Sequence, residues 1–299
     1  MENNLAPIVL FVYNRPWHTL QTLESLKLNE LASKSELFIY ADGPKDNASV
    51  EDLEKIKQTR EIIQQSKWCG KNSIIESEKN HGLASSVING VTKIINEYGK
   101  IIVLEDDLIV AKCFLKFMND GLALYSDSQN IYSINGYMFP VNTEKNETVL
   151  LPYISTWGWA TWKNKWNGLE ISDINKSIFN QNKFIMKRFN LADYDYVSML
   201  NNKQNSWGIL WYYKVFIKNG LNVYPSKSLV KNIGFDGSGE NCGIDKGRSD
   251  FNSNTFLEIS KVDELDLNFY SVFLNYFTLS KNKKNYLAYL KNLIRFRWV

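Results

Sequence analysis

The stretch KIIVLEDDLIV, residues 100–110, decides how this chain can fold. Its apolar run, IIVL, leads directly into three consecutive carboxylates, Glu105, Asp106 and Asp107. A short apolar run of this kind is typical of a strand buried in a parallel sheet. Neighbouring carboxylates repel one another, and removing them from water is costly unless a positive group lies near them. The stretch therefore predicts a buried strand whose end requires a cation.

The chain before this stretch alternates between strand and helix patterns. Strands are predicted within 6–14, 36–44, 72–82 and 101–107, and helices within 18–31, 49–66 and 82–99. Ser49 is the predicted cap of the second helix, and Gly99 is the predicted end of the third. This alternation predicts an α/β fold, with a Rossmann-like, mostly parallel sheet flanked by helices.

Polar residues follow each predicted strand at the point where it ends. They are Asn14 and Arg15, Asp42, Asn80 and His81, and the carboxylates at 105–107. Ligands of open parallel sheets bind at the carboxyl ends of the strands. The sequence therefore predicts that these residues share one binding site.

Composition excludes several classes of protein. A formal charge of +3 over 299 residues is too small for a nucleic-acid-binding protein unless it is concentrated in one place. Three widely spaced cysteines indicate neither a disulfide framework nor a zinc site. The first apolar run ends at Tyr13 and is predicted to be a strand, not a signal peptide, and no stretch has transmembrane length. The expected location is the cytoplasm.

The carboxylate cluster matches the chemistry of a hard divalent cation. Mg²⁺ or Mn²⁺ takes one or two protein carboxylates and completes its shell with water and phosphate oxygens. If the strand continued, Glu105 and Asp107 would share a face, and Asp106 would point elsewhere. Neither the P-loop pattern GxxxxGK[ST] nor GxGxxG after the first strand is present, which argues against P-loop NTPases and Rossmann dehydrogenases.

Several segments together resemble a known family: APIVLFVYNRP, IYADGP, NHGLASSV, VLEDDLIV, SINGY, TWGWATW and LVKNIGFDGSG. Over residues 6–245 the chain resembles nucleotide-sugar-dependent glycosyltransferases with the GT-A fold. The likeness is to bacterial family-2-like enzymes related to the N-acetylglucosaminyltransferase I type. It implies transfer of a hexosyl or N-acetylhexosaminyl group from a nucleoside-diphosphate sugar to a glycan or lipid-linked glycan, in surface polysaccharide synthesis.

The resemblance also implies roles for individual residues. Asp107 would ligate Mn²⁺ or Mg²⁺, and Arg15 would contact the diphosphate. The implied contacts of the nucleotide and the donor sugar are Asp42, Asn80, His81, Glu105 and Asp106. Two of these residues also have a structural interpretation, Asp42 as a turn former and His81 as a residue that tolerates a left-handed turn before Gly82. Arg15 in turn could be a surface residue before Pro16.

The chain departs from the family pattern where a catalytic base is expected. The Trp-Asp-Asp-Trp segment of the N-acetylglucosaminyltransferase I type corresponds to 207–211, which has no carboxylate. Asn241 stands where related sequences often have histidine. Asp236 and Glu240, in the glycine-rich loop predicted to close over the donor, are therefore the candidate bases. His18 is predicted to be structural. Whether the reaction inverts or retains configuration stays open.

The second half of the chain is rich in tryptophan. Four of these residues are candidates for the core or for an acceptor-sugar platform: Trp157, Trp159, Trp207 and Trp211. The predicted organisation is a nucleotide-sugar half at 1–140, an acceptor half at 141–260 and a helical extension at 261–299. Residues 281–299 are predicted to form a basic amphipathic helix, which either packs on the protein or contacts the inner face of a membrane.

Two other functions fit the sequence less closely. A sugar-phosphate nucleotidyltransferase would also use strand-end carboxylates and a metal, but it is expected to carry a glycine-rich, basic loop after the first strand, where this chain has Asn14-Arg15-Pro16. A carbohydrate-binding protein would use the aromatic residues and would need no site for a metal and a diphosphate.

Overall fold

The computed structural model describes residues 5–141, 148–167, 177–192, 194–202, 206–238 and 251–278. The strands in these ranges are β1 (Ile8–Val12), β2 (Glu36–Ala41), β3 (Lys71–Glu76), β4 (Lys100–Glu105), β5 (Leu108–Val110), β6 (Ile131–Asn135), β7 (Thr148–Leu151), β8 (Trp159–Trp162), β9 (Leu221–Pro225) and β10 (Val230–Asn232). The α-helices in the same ranges are α1 (Pro16–Lys27), α2 (Val50–Gln64), α3 (Leu83–Tyr98), α4 (Phe114–Leu124), α5 (Lys163–Trp166), α6 (Ser177–Gln181), α7 (Lys183–Phe189), α8 (Tyr196–Asn202), α9 (Trp207–Ile217) and α10 (Leu267–Tyr276).

One sheet of eight strands organises the fold, in the order β3-β2-β1-β4-β8-β6-β9-β7. The first four strands are parallel to one another. β8 lies antiparallel between β4 and β6, and β6 and β9 are parallel. A separate ribbon pairs β5 with β10. The predicted α/β class, with a mostly parallel sheet flanked by helices, is confirmed.

Local sequence signals explain where the helices begin and end. Ser49 caps α2, since its hydroxyl accepts from the Asp52 backbone while the Asp52 carboxylate accepts from the Ser49 backbone. α3 ends at Gly99, whose φ of 79° is the left-handed conformation that glycine adopts without strain. Both predicted helix boundaries are confirmed.

The central strands are buried on both faces. Leu10 of β1 packs with Ile102 and Leu104 of β4 in the larger core. Val9 lies in a second core on the opposite face, together with Val103. Because both faces are covered, the ends of β1 and β4 are held rigidly, and the residues that follow them have defined positions.

Some predictions fall partly or wholly outside the described residues. α10 lies in the region from Asp263 that was predicted to be helical. Residues 281–299, the predicted basic helix, and Glu240, the second candidate base, lie outside the described ranges. No helix within those ranges is long and apolar enough to cross a membrane.

Candidate functional site

A cleft of about 360 Å³ opens where the central parallel strands end. Seven of the eight strand-end polar residues predicted from the sequence line it: Asn14, Arg15, Asp42, Asn80, Glu105, Asp106 and Asp107. They come from four loops that are far apart in the chain. The structure therefore brings together most of the strand-end polar residues in one concave site, the usual shape of a small-molecule site.

Arg15 is the cation that lies against the carboxylate cluster. Its Nη1 is 3.2 Å from Asp106 Oδ1 and 3.0 Å from Asp107 Oδ2. β4 ends at Glu105, and the chain turns at the next two residues. The strand does not continue, so the alternation expected from a continuing strand does not apply: both aspartates contact the same guanidinium, and Glu105 lines the same cleft.

Burial and charge repulsion shift the pKa values of this cluster. Burial raises the pKa of Glu105 to about 8, and the charges of Asp107 and Asp106 add to the effect. The pKa of Asp106 is also raised, first by burial and then by Asp107, although Arg15 opposes the shift. Burial lowers the pKa of Arg15, but the two aspartates raise it more, so it stays charged. The cluster therefore has an affinity for further positive charge.

Buried hydrogen bonds hold the turn that carries the aspartates. Thr22 of α1 donates its hydroxyl to the Asp106 carbonyl at 2.8 Å and accepts from the Leu108 backbone at 3.1 Å. The Ile233 backbone donates to the Asp107 carbonyl at 2.9 Å. The turn is thus fixed both by α1 and by the segment that follows β10.

Gly234 lies directly against the charged pair. A Cβ atom at this position would be 2.1 Å from Asp107 Oδ2 and 2.7 Å from Arg15 Nη2. No side chain fits in that space without displacing one of these groups. Gly234 is within the segment LVKNIGFDGSG, but nothing in the sequence distinguishes it from the other glycines there.

The guanidinium of Arg15 has hydrogen-bond donors that do not bond with any of the described residues. Its Nε and Nη2 atoms are buried and have no hydrogen-bond partner among those residues. Buried N–H groups are ordinarily paired, since an unpaired one costs about 1–3 kcal/mol. An anion in the cleft would satisfy these donors, and a phosphate oxygen matches the fork of a guanidinium.

The donor set is compatible with a divalent cation. No group of three His, Cys, Asp or Glu side chains within the described ranges is arranged to hold an ion. Asp106 and Asp107 line the cleft and offer carboxylate oxygens. Mg²⁺ or Mn²⁺ bound with substrate phosphates typically uses only one or two protein carboxylates. The residues present therefore fit such an ion, with Asp107 as its proposed ligand.

Asp42 lies on the other side of the cleft and binds backbone, not solvent. Its carboxylate accepts from the backbone N–H groups of Gly43, His81 and Gly82 at 2.9, 2.9 and 3.0 Å. Asn80 donates its side-chain amide to the Gly43 carbonyl at 2.9 Å. Asp42 and Asn80 therefore join the loops after β2 and β3. The His81 side chain is exposed, and His81 is not among the residues that line the cleft.

Asp236 lies at the edge of this site. It is held in a tight turn, where Oδ1 accepts from the Ser238 backbone at 2.9 Å and from the Ser238 hydroxyl at 2.6 Å. These bonds lower the pKa of Asp236 to about 2. Ser238 itself lines the cleft. Sequence reasoning identified Asp236 but missed Ser238 and Thr22, whose residue types are common and carry no distinctive spacing.

The tryptophans of the second half divide into two groups. Trp159, Trp207 and Trp211 are buried and pack around one another, with Trp159 stacked on Trp207 at 5.5 Å. Their interpretation as core is confirmed. Trp157 is half-buried and contacts Phe235, the neighbour of Asp236, at a centroid distance of 5.5 Å. Trp157 is therefore the one candidate of the four that lies next to the site.

Comparison with known proteins yields structural likeness without sequence likeness. No family model matches the chain, and no curated protein matches it significantly. A mannosyltransferase from Pyrobaculum calidifontis, solved with GDP-Man and Mn²⁺, is 11% identical with a TM-score of 0.37, and the match covers 53% of this chain and 44% of that one.

Two structures of TarS from S. aureus also match. They are 10% and 12% identical, with TM-scores of 0.37 and 0.36, and each match covers 76% of this chain. The matches span 36% and 59% of the two TarS chains, so this chain covers less than two thirds of all three neighbours. Similarity at this level does not identify the substrate or the reaction.

Proposed function

We propose that this protein is a metal-dependent glycosyltransferase that uses a nucleoside-diphosphate sugar. One observation carries the proposal: buried, unpartnered donors of Arg15 lie beside Asp106 and Asp107 in a cleft at the strand ends. A diphosphate offers the oxygens that the guanidinium lacks, and the carboxylates complement a cation held by that diphosphate.

The residues of the cleft would divide the work of binding. Arg15 binds the diphosphate through Nε and Nη2, and Asp107 ligates Mn²⁺ or Mg²⁺. When bound, that ion neutralises the charge that develops on the departing diphosphate. Glu105, which the raised pKa keeps largely protonated at neutral pH, can donate a hydrogen bond to the nucleoside or the sugar. Asp42 and Asn80 hold the loops that form the far wall of the cleft.

The acceptor would approach from the side of Asp236 and Trp157. In a direct displacement, the acceptor hydroxyl gives its proton to a carboxylate while its oxygen bonds to the anomeric carbon. The bond from that carbon to the phosphate oxygen breaks, and its electron pair leaves with the diphosphate. Asp236 is ionised at neutral pH and can accept the proton, but its low pKa makes it a weak base. Stabilisation of the diphosphate is then the larger contribution.

The broader assignments are part of the same proposal. The donor half is 1–140 and the acceptor half is 141–260, because the cleft is lined by residues of the first half together with Ser238 of the second. A glycan or a lipid-linked glycan is the proposed acceptor, since the half-buried indole of Trp157, which contacts the residue before Asp236, suits the face of a sugar ring.

Release of nucleoside diphosphate tests the proposal directly. Hydrolysis of UDP-N-acetylglucosamine and GDP-mannose is measured with Mn²⁺ and with EDTA, for wild type and Asp107→Ala. We expect turnover only with Mn²⁺, and a loss of about 100-fold or more in the variant. Equal turnover in all four conditions would remove the metal role. Release of pyrophosphate from a nucleoside triphosphate and a sugar phosphate would favour a nucleotidyltransferase instead.

Ligand binding supplies a test that is independent of turnover. Nucleoside diphosphates with Mn²⁺ should raise the melting temperature of wild type, because a ligand that binds only the folded state stabilises it. Asp107→Ala should lose the Mn²⁺-dependent part of the shift. Binding of glycans without any nucleotide binding would identify a carbohydrate-binding protein.

A further inference from the structure

His18 is a buried histidine for which the proposed site has no role. It lies in the first turn of α1, three residues after Arg15, and its side chain is only 7% exposed. Its Nε2 atom is 3.1 Å from Asp236 Oδ2, a close approach without hydrogen-bond geometry, and the Ile233 backbone also lies near enough to the imidazole to influence its pKa. The partner is more than two hundred residues away in the chain, so no local pattern could have shown this contact.

The segment around Asp236 contacts the diphosphate end of the cleft at several points. Ile233 binds the Asp107 carbonyl, Gly234 lies against Arg15 and Asp107, and Ser238 reaches the cleft lining. Asp236 stands between the last two. A side chain that packs against both Ile233 and Asp236 therefore sets how this whole segment lies over the cleft.

Charged groups surround the imidazole on several sides. Burial and the charge of Arg15 lower the pKa of His18, while Asp236, Asp107 and the Ile233 backbone raise it, and the net shift is downward. His18 is therefore mostly neutral at pH 7, so its ring has a single N–H donor, for which the Ile233 backbone and the Asp236 carboxylate compete. Asp236 is 47% exposed; Ser238 holds its Oδ1, and His18 is the group that lies against its Oδ2.

We propose that His18 is a positioning residue of the transfer reaction: its buried imidazole packs against Asp236 and Ile233 and so sets how residues 233–238 lie beside Arg15 and Asp107. The proposal rests on the proposed function. It couples the helix that presents Arg15 to the segment that presents the candidate base. His18 acts through Asp236 and does not itself touch the sugar.

Kinetics of His18→Ala and His18→Gln test the proposal. With UDP-N-acetylglucosamine and GDP-mannose as probes, we expect kcat for donor hydrolysis to fall about 10- to 100-fold in His18→Ala, with little change in KM. Glutamine keeps an N–H donor at a similar reach and should recover most of the loss. Glu24→Ala, an exposed site on the same helix, is the matched control and should behave as wild type.

Two outcomes would overturn the role of His18. One is an unchanged kcat in His18→Ala. The other is a loss of kcat that is equal in the Ala and Gln variants and proportional to a loss of folded protein, which would mark the residue as structural only. Nucleoside diphosphate is titrated into each variant by thermal shift. If wild type shows no shift, the proposed function fails; if the variants keep the shift and their kcat is also unchanged, only the role of His18 fails.

Imidazole NMR gives a reading that does not depend on turnover. The chain has two histidines, so the His18 signal can be followed with the exposed His81 as reference. Asp236→Asn should lower the pKa of His18 further, since it removes a carboxylate that favours the charged form. An unchanged titration would show that the two side chains do not interact in solution.

Discussion

The two sides of the cleft differ in how completely their polar groups are paired. On the Asp42 side, formed by 42–44 and 80–82, one carboxylate receives three backbone N–H groups. On the Arg15 side, formed by Arg15, 106–107 and Gly234, a guanidinium has unpartnered donors among the described residues, beside acids with raised pKa values. The polar groups of the Asp42 side are paired without a ligand, whereas those of the Arg15 side would gain partners from a bound ligand.

The difference in pairing indicates that the Asp42 side contributes mainly to stability and the Arg15 side mainly to function. A paired network holds its loops whatever the cleft contains, and breaking it costs folding free energy. Crowded acids and unused donors reduce stability, and they are typical of sites that bind or react. We therefore expect substitutions on the Asp42 side to act mainly on stability, and those on the Arg15 side to act mainly on catalysis.

Gly234→Ala is expected to lower activity about as strongly as Asp107→Ala. The new methyl group would overlap the Asp107 carboxylate and displace Arg15, so donor hydrolysis should fall by about 100-fold while the unfolding midpoint changes little. Steady-state kinetics and urea unfolding measure the two effects. Gly208→Ala, a helical glycine remote from the carboxylates, is the control and should keep its activity. Normal kinetics in Gly234→Ala would show that the contact is not maintained in solution.

Asp42→Ala should have the next largest effect, and it should act on stability. Three backbone donors lose a charged acceptor, which should lower the free energy of unfolding by about 2–3 kcal/mol. Asp107→Ala is the matched comparison from the Arg15 side, and its stability should be unchanged or higher because like-charge repulsion is relieved. Urea unfolding of the two variants measures the contrast, and the reverse order of stabilities would refute it.

A third effect concerns pH and involves Glu105. Its pKa rises from 4.5 in the unfolded chain to about 8 in the folded protein, so the folded state holds the proton more tightly. Its contribution to stability is therefore complete below pH 4.5 and is lost as the pH rises through about 8. Urea unfolding between pH 5 and pH 8 should show this decline, and Glu105→Gln should flatten it. An equal slope in the variant would assign the decline to other groups.

Much of the fold could be predicted because its signals are local. The apolar run before Glu105, the cap at Ser49 and the glycine at position 99 each act on a few neighbouring residues, and each is found where it was expected. The strand-end rule also placed most polar residues of the cleft correctly, since it needs only the strand boundaries. The antiparallel position of β8 was not predicted, because the residue pattern of a single strand does not show which strands it pairs with or in which direction.

The roles within the site were harder to predict than its location. Asp42 carried two interpretations, and only the positions of His81 and Gly82 show that its carboxylate binds backbone. His18 was predicted to be structural, yet it lies against Asp236. Four tryptophans looked alike in the sequence, and burial separates Trp157 from the others.

The sequence by itself determined the order of strands and helices, the burial of the central strands and the collection of polar residues at their ends, since hydrophobic periodicity and turn chemistry act within a few residues. Only the tertiary structure decided which groups meet there. Arg15 pairs with carboxylates 91 and 92 positions away, and Gly234 closes over that pair. Such contacts depend on the order of the strands in the sheet and on how the loops pack, and both are set by interactions between distant segments throughout the core.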